Sequence, residues 1–129
     1  MNPGTKTLSL ILLLLFFSCE NIKEEKSTAN ELKEDLKEIP FNSKMWKERI
    51  EDTYPHRARM YREVLYSDSV RTLSKQEVLN MLGKPDKEEN NHCYYLIDRT
   101  GIGSWTLNQK SMVIKFKADD SVEWIKMYE

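Results

Sequence analysis

One stretch in the middle of the chain carries every local signal of a short, closed helix. Ser74 followed three residues later by Glu77 is the pattern of a capping box, in which each side chain accepts a hydrogen bond from the other residue's backbone amide. Apolar residues then recur at helical spacing. Gly83 can adopt the left-handed conformation that ends a helix, and Pro85 prevents its continuation. These signals together predict a helix at 75–82.

The start of the chain predicts export to the cell envelope. Lys6 precedes the apolar run Leu8–Phe17, which is shorter than the about 20 apolar residues that a membrane-spanning helix needs. A positive start, a short apolar run and a small residue before the cut are typical of a secretory signal peptide. The segment Phe16-Phe-Ser-Cys19 resembles the lipobox of bacterial lipoproteins, whose cysteine is acylated and becomes the first residue of the mature chain. The alternative is an ordinary signal peptide with an incidental cysteine.

These features divide the chain into three parts. We predict a lipoprotein signal peptide at 1–18, a charged flexible tether at 19–40 and one folded domain at 41–129. The tether is rich in Glu and Lys and poor in aromatic residues, so it cannot bury enough apolar surface to fold. A palmitate-type lipid on Cys19 would anchor the domain to a membrane, expected to be the outer membrane, on its periplasmic or its surface side.

Charge and cysteine content exclude several classes of protein. With a formal net charge of −1, the sequence shows no basic footprint of the kind that nucleic-acid binding needs. If Cys19 carries a lipid, Cys93 is the one remaining cysteine and no disulfide can form. The sequence has no HExxH, Cys-x-x-Cys or glycine-rich phosphate motif. His92 and Cys93 are neighbours in a predicted strand and point to opposite faces, so they cannot form a base–nucleophile pair. We therefore expect no catalytic residue, metal or cofactor.

The domain is expected to begin with a helical segment that is broken near Pro55, because proline cannot lie inside a straight helix. Asn42 or Ser43 is the expected cap. Trp46 and Ile50 are spaced one turn apart and are expected to share one face.

A second helical piece is predicted at 56–66. Its apolar face is formed by Met60, Tyr61, Val64 and Leu65. Its charged side chains are expected to point toward water: Arg57, Arg59, Arg62 and Glu63. Residues 67–71 are expected to form a loop that leads into the capped helix.

Three strands are predicted after the capped helix. A polar turn at 87–91 leads into a strand at 92–98, and the connection 99–104 leads into a strand region at 105–107 and 110–117. A tight turn at Asp119-Asp120 then leads into the last strand, 121–128.

The last hairpin predicts which side chains share a face. If Ala118 pairs with Ser121, the opposed residues on the buried face are Met112, Ile114 and Phe116 on one strand and Met127, Ile125 and Glu123 on the other. The other face then carries Val113, Lys115, Trp124, Lys126 and Tyr128. A slip of one residue would exchange the two faces.

Helices followed by strands predict an α+β domain, with two helical segments packed on one face of a three-stranded antiparallel sheet. The sequence resembles the SmpA/OmlA (BamE-like) family of small outer-membrane lipoproteins. The resemblance is carried by Arg57-x-x-Met60-x-x-Glu63-Val64 and by Leu73-Ser-x-x-Glu-Val78-x-x-x-Leu82-Gly-x-Pro85. It implies the fold of that family, which is shared with β-lactamase-inhibitor-like repeats. The best-known members of the family belong to the machinery that inserts β-barrels into the outer membrane.

Three functional hypotheses follow. The first is a non-catalytic envelope lipoprotein, such as an accessory of outer-membrane assembly, that binds another envelope protein through the face with Trp124 and Tyr128 or the loop with Trp105. The second is a tethered inhibitor or ligand-binding module of the same fold, which an exposed loop suited to a cleft would favour. The third is an enzyme, which a pocket with strongly shifted titratable groups would favour.

Overall fold

The computed structural model describes residues 37–129. The predicted signal peptide, Cys19 and most of the predicted tether lie outside the described residues. The last part of the tether contacts the domain: the Ile39 amide donates to the Arg59 carbonyl at 3.0 Å, and Arg59 Nε donates to the Lys37 carbonyl at 2.9 Å. The contacts of the domain therefore begin before the boundary that we expected at residue 41.

The described residues form four helices followed by four strands. The helices are α1 (Ser43–Lys47), α2 (Arg57–Leu65), α3 (Asp68–Arg71) and α4 (Lys75–Leu82). The strands are β1 (Lys87–Glu89), β2 (His92–Ile102), β3 (Trp105–Phe116) and β4 (Val122–Tyr128). They form one antiparallel sheet in the order β1-β2-β3-β4. Between residues 37 and 129, no helix is long and apolar enough to cross a membrane.

The fold is α+β as predicted, but the sheet has four strands rather than three. We assigned β1 to a polar turn because its three residues, Lys-Glu-Glu, are all charged and show no alternation. All three are exposed, and β1 is held at the sheet edge by pairing with β2. Asn90 and Asn91, both with positive φ (50° and 62°), form the two-residue turn between these strands.

Helix α4 confirms the predicted limits and the predicted capping box. Ser74 Oγ accepts from the Glu77 amide at 3.3 Å, and Glu77 Oε2 accepts from the Ser74 amide at 2.7 Å. Gly83 ends the helix with φ 80° and ψ −172°. This is the extended region that only glycine occupies readily, rather than the left-handed helical region that we expected.

The first helical segment is shorter than predicted. Asn42 caps α1, since its side chain accepts from the Met45 amide at 3.0 Å. Trp46 is fully buried, but α1 ends at Lys47 and Ile50 is 56% exposed, so the expected shared face is wrong. Ile50 instead pairs with Thr53 in an isolated bridge.

Helix α3 occupies the segment that we expected to be a loop. Ser67 caps it, because its hydroxyl accepts from the Val70 amide at 3.2 Å. Val70 is buried, which anchors this short helix against the domain.

The core lies between the helices and one face of the sheet, as predicted. The helices contribute Trp46, Met60, Val64, Leu65, Val70, Val78 and Leu82. The sheet contributes Cys93, Tyr95, Ile97, Met112, Ile114, Phe116, Val122 and Ile125. The opposite face of the sheet, which we call the outer sheet face, is not covered by these helices.

The register of the last hairpin is confirmed except at its turn end. Met112 is opposite Met127 and Ile114 is opposite Ile125, but Phe116 is opposite Val122 rather than Glu123. A bulge next to the turn causes this change: the Lys117 amide donates to the Ser121 carbonyl at 2.8 Å, and Asp120 takes a φ of 64°. The prediction that Glu123 lies on the buried face is therefore wrong. Val122 is buried opposite Phe116 instead.

Candidate functional site

A buried arginine, Arg57, forms hydrogen bonds with several separate segments of the domain. Arg57 is 1% exposed, so the prediction that it points toward water is wrong. Its Nε donates to the Trp46 carbonyl at 3.0 Å, and its Nη1 donates to Asp86 Oδ2 at 2.8 Å and to the Leu96 carbonyl at 3.0 Å. The guanidinium carbon lies 3.3 Å from the centroid of the Tyr54 ring. These contacts join α1, α2, β2 and the segment before β1.

Asp86 is held by three donors. Its Oδ1 accepts from the Tyr54 hydroxyl at 2.7 Å, and its Oδ2 accepts from the Leu96 amide at 2.8 Å as well as from Arg57. Burial acts to raise the pKa of Asp86, but the hydrogen bonds from Tyr54, Leu96 and Arg57 outweigh it and lower that pKa below its ordinary value. The carboxylate therefore stays ionised beside the arginine.

The sequence contains a signal for the burial of Arg57. Arg57 precedes Met60 by three residues and Val64 by seven, so it lies on the apolar face of α2. A charged residue in an apolar stripe needs a buried partner. Asp86 comes from a distant part of the chain, and the spacing of α2 does not identify it.

Strands β2 and β3 extend beyond their neighbours as a two-stranded ribbon. This β2–β3 ribbon comprises residues 98–102 and 105–110, joined by Gly103-Ser104. We expected 99–104 to be a connection, but most of it is strand. Gly103 takes a φ of 60° at the turn. A Cβ on Gly101 would lie 2.3 Å from the Trp105 carbonyl oxygen, so only glycine fits there without displacing the backbone.

The tip of the ribbon is apolar and exposed. Ile102 is 73% exposed, Trp105 is 77% exposed and Leu107 is 65% exposed. Ile102 and Trp105 are paired across the ribbon and therefore share a side. No residue from 100 to 109 carries a charge. Large apolar side chains grouped on a protruding, uncharged element are typical of an interaction site.

The outer sheet face carries the second group of candidate residues. Trp124 is half-buried, with the His92 ring edge-on at 5.3 Å and Lys126 Nζ 4.8 Å from its ring centroid. Tyr128 is 52% exposed. The register places Val113, Lys115, Trp124, Lys126 and Tyr128 on this face, as predicted. Val113 is nevertheless 1% exposed, so its neighbours cover the centre of the face.

The structure does not bring the three predicted partner residues together. Trp124 is level with Lys115 and Tyr128 is level with Ser111. Trp105 lies ten residues along β3 from Lys115, which is about 30 Å at the rise of a β-strand. The tip of the ribbon and the Trp124 end of the outer sheet face are therefore two separate surfaces.

No protein-family model, curated protein or solved structure matches this chain. The resemblance to the SmpA/OmlA family therefore stays a prediction.

The side chains that could act as a nucleophile or a base are either far apart or have raised pKa values. Cys93 faces the core opposite Ile114, whereas His92 lies on the outer sheet face, so the expected separation of the two is confirmed. Among residues 37–129, Cys93 is a free thiol, and burial raises its pKa to about 11. The pKa of Tyr54 is raised, chiefly by burial and then by its hydrogen bond to Asp86. Within residues 37–129, no group of three or more His, Cys, Asp and Glu side chains could hold a metal ion.

Proposed function

We propose that this chain is a lipid-anchored, non-catalytic protein-binding module of the cell envelope, and that the β2–β3 ribbon is its main partner contact. The observation that carries the proposal is the exposure of Ile102, Trp105 and Leu107 at the tip of the ribbon. Burying one such side chain against a partner is worth about 1.5–3 kcal/mol. Tryptophan is also the residue type most often found at the energetic centre of protein interfaces.

The shape of the ribbon supports a protein partner. Its two strands pair only with each other, so each strand also presents outward-facing backbone amides and carbonyls that can hydrogen-bond to a strand of a partner. Thr100 and Asn108 are uncharged polar residues paired just behind the tip, and they supply side-chain donors and acceptors for the rim of an interface.

Trp124 and Tyr128 form a secondary contact in this proposal. Trp124 already packs against His92 and Lys126, so a partner gains less from covering it than from covering Trp105. The lysine stems here also shield apolar surface from water. We expect removal of Trp124 to weaken partner capture less than removal of Trp105.

The cellular setting of the proposal rests on the sequence. A lipid on Cys19 would anchor the domain to the outer membrane, and the SmpA/OmlA resemblance suggests an accessory role in outer-membrane assembly. We also propose that the fold is BamE-like. An antiparallel sheet with helices on one face, here with four strands, supports this part of the proposal.

A tethered inhibitor is the second candidate function. A protruding two-stranded ribbon with an apolar tip is a shape that can insert into the cleft of another protein, which is the feature that we expected of an inhibitor. The two functions use the same ribbon and differ in the partner: an assembly component in one case and a single enzyme in the other.

A crosslinked pulldown from intact envelopes tests both candidates. The test variant is Trp105→Ala. The matched control is Tyr66→Ala, because Tyr66 is an aromatic residue of similar exposure, 74%, that follows α2 and is not part of the ribbon. We expect Trp105→Ala to lose the crosslinked partner and Tyr66→Ala to retain it.

The identity of the captured protein separates the two functions. Assembly components support the scaffold role, and one enzyme whose activity falls on binding supports the inhibitor role. Capture that survives Trp105→Ala unchanged would show that the ribbon is not the partner contact.

A further inference from the structure

A cleft of about 520 Å³ lies at the root of the β2–β3 ribbon. Its floor is part of the outer sheet face, with Tyr94, Leu96 and Ser111. Its walls come from the segment between α1 and α2, which includes Tyr54, and from the segment between α4 and β1. The volume is within the range of about 300–1,000 Å³ that is typical of small-molecule sites.

Basic side chains outnumber acidic ones around this cleft. The basic residues are Arg49, Lys84, Lys87 and Arg99, and the acidic residues are Asp52 and Asp86. Both acids already have cationic partners: Arg49 Nη2 lies 2.9 Å from Asp52 Oδ1, and the buried Arg57 lies 2.8 Å from Asp86 Oδ2. The carboxylates therefore do not neutralise the remaining cations.

Two of these cations lack an acidic partner within the described part of the chain. Lys87 pairs with Glu89 at 2.7 Å, but neither Lys84 nor Arg99 has a carboxylate within ion-pair distance among residues 37–129. Lys84 lies just after α4, on one wall of the cleft, whereas Arg99 lies on β2 beside its floor. Positive charge that converges on a concave site attracts anions more strongly than the same charge on a flat surface.

Several polar groups of the cleft are linked by hydrogen bonds. Arg99 Nη2 donates to Gln109 Oε1 at 3.4 Å, and Gln109 Nε2 donates to Ser111 Oγ at 3.3 Å. The hydrogen bond between Tyr54 and Asp86 joins the two walls, and the buried Arg57 also holds Asp86. A site whose groups are already ordered loses less conformational entropy when a ligand binds.

We propose that this cleft binds an oxyanion, the carboxylate or phosphate group of a larger ligand, with Lys84 and Arg99 as the binding cations. The guanidinium of Arg99 can bind two oxygens of one such group, and Lys84 adds a second charge from the wall that precedes β1. Ser111 and Gln109 supply neutral hydrogen bonds beside Arg99. This site is distinct from the apolar tip of the ribbon and does not depend on the proposed partner contact.

Titration of the purified full chain, followed by ¹⁵N NMR at low ionic strength, tests the proposal. One probe is inorganic phosphate and the other is a tetraglutamate peptide. We expect saturable shifts of the backbone amides of Arg99 and Ser111, and an affinity that falls as salt is added. Tighter binding of the peptide would identify carboxylates as the natural group, and tighter binding of phosphate would identify a phosphate.

Lys84→Gln and Arg99→Gln should each weaken binding about tenfold, the loss of one charge-assisted hydrogen bond. Lys117→Gln is the matched control, because this exposed lysine lies at the β3–β4 turn, away from the cleft. Trp105→Ala should leave anion binding unchanged, which separates this site from the partner contact.

Three results would overturn the proposal. One is the lack of saturable shifts with both probes at their highest soluble concentrations. Another is unchanged binding in a folded Lys84→Gln/Arg99→Gln double variant. The third is an equal loss in Lys117→Gln, which would show diffuse attraction rather than a site.

Discussion

Replacing Arg57 with methionine should destabilise the domain more than any exposed substitution in the same helix. Methionine keeps much of the side-chain volume but removes the donors to Asp86, to the Trp46 carbonyl and to the Leu96 carbonyl. Breaking a buried ion pair by removing one partner costs about 3–5 kcal/mol. The Asp86 side chain is 29% exposed and regains some hydration, so we expect the lower end of that range. Urea unfolding with an unchanged denaturant slope measures this loss.

A double-mutant cycle with Asp86→Asn tests whether the pair itself carries the effect. Because Arg57 and Asp86 are in direct contact, the double variant should be more stable than the sum of the two single losses predicts, by about 1–3 kcal/mol. Arg62→Met in the same helix is the matched control, since Arg62 is 60% exposed and should leave the unfolding free energy nearly unchanged. Additive losses in the cycle, or an equal loss in Arg62→Met, would refute the argument.

Three further predictions concern Asp86, Ser74 and Cys19. Because folding lowers the pKa of Asp86, the ionised carboxylate stabilises the domain fully above its ordinary pKa of 3.8, and this stabilisation is lost as pH falls below that value. Urea unfolding at a series of pH values should therefore show a smaller loss of stability in acid for Asp86→Asn than for the unchanged protein. Ser74→Ala should cost about 1 kcal/mol through loss of the helix cap, and an identical melting curve would contradict the capping box. Cys19→Ala should move the protein from the membrane fraction to the soluble fraction on envelope fractionation, and retention at the membrane would contradict the lipid anchor.

The elements whose signals all lie in neighbouring residues were predicted correctly from the sequence. The limits of α4 and its capping box were predicted correctly because Ser74, Glu77 and Gly83 act within one short segment. The inner and outer faces of the last hairpin were also predicted, because alternation along β3 and β4 is regular apart from the bulge at Phe116. The predicted α+β class followed from the order of these elements.

The elements that we missed depend on contacts between distant segments. Strand β1 is charged throughout and becomes a strand only because β2 lies beside it. Residues 99–104 contain two glycines and read as a connection, yet pairing with β3 extends the strand through most of them. The separation of Trp105 from Trp124 could not be predicted either, because the length of the ribbon was unknown.

The sequence by itself determined the capped helix, the predicted lipoprotein signal and the list of aromatic residues available for binding. Only the tertiary structure decided which of these residues are exposed and which charges are buried. Arg57 shows the physical reason: the helical pattern places it on the apolar face of α2, but Asp86, 29 residues away, makes its burial favourable. The exposure of a side chain depends on what the rest of the fold places against it, and Trp46 and Trp105, one fully buried and one 77% exposed, differ for that reason alone.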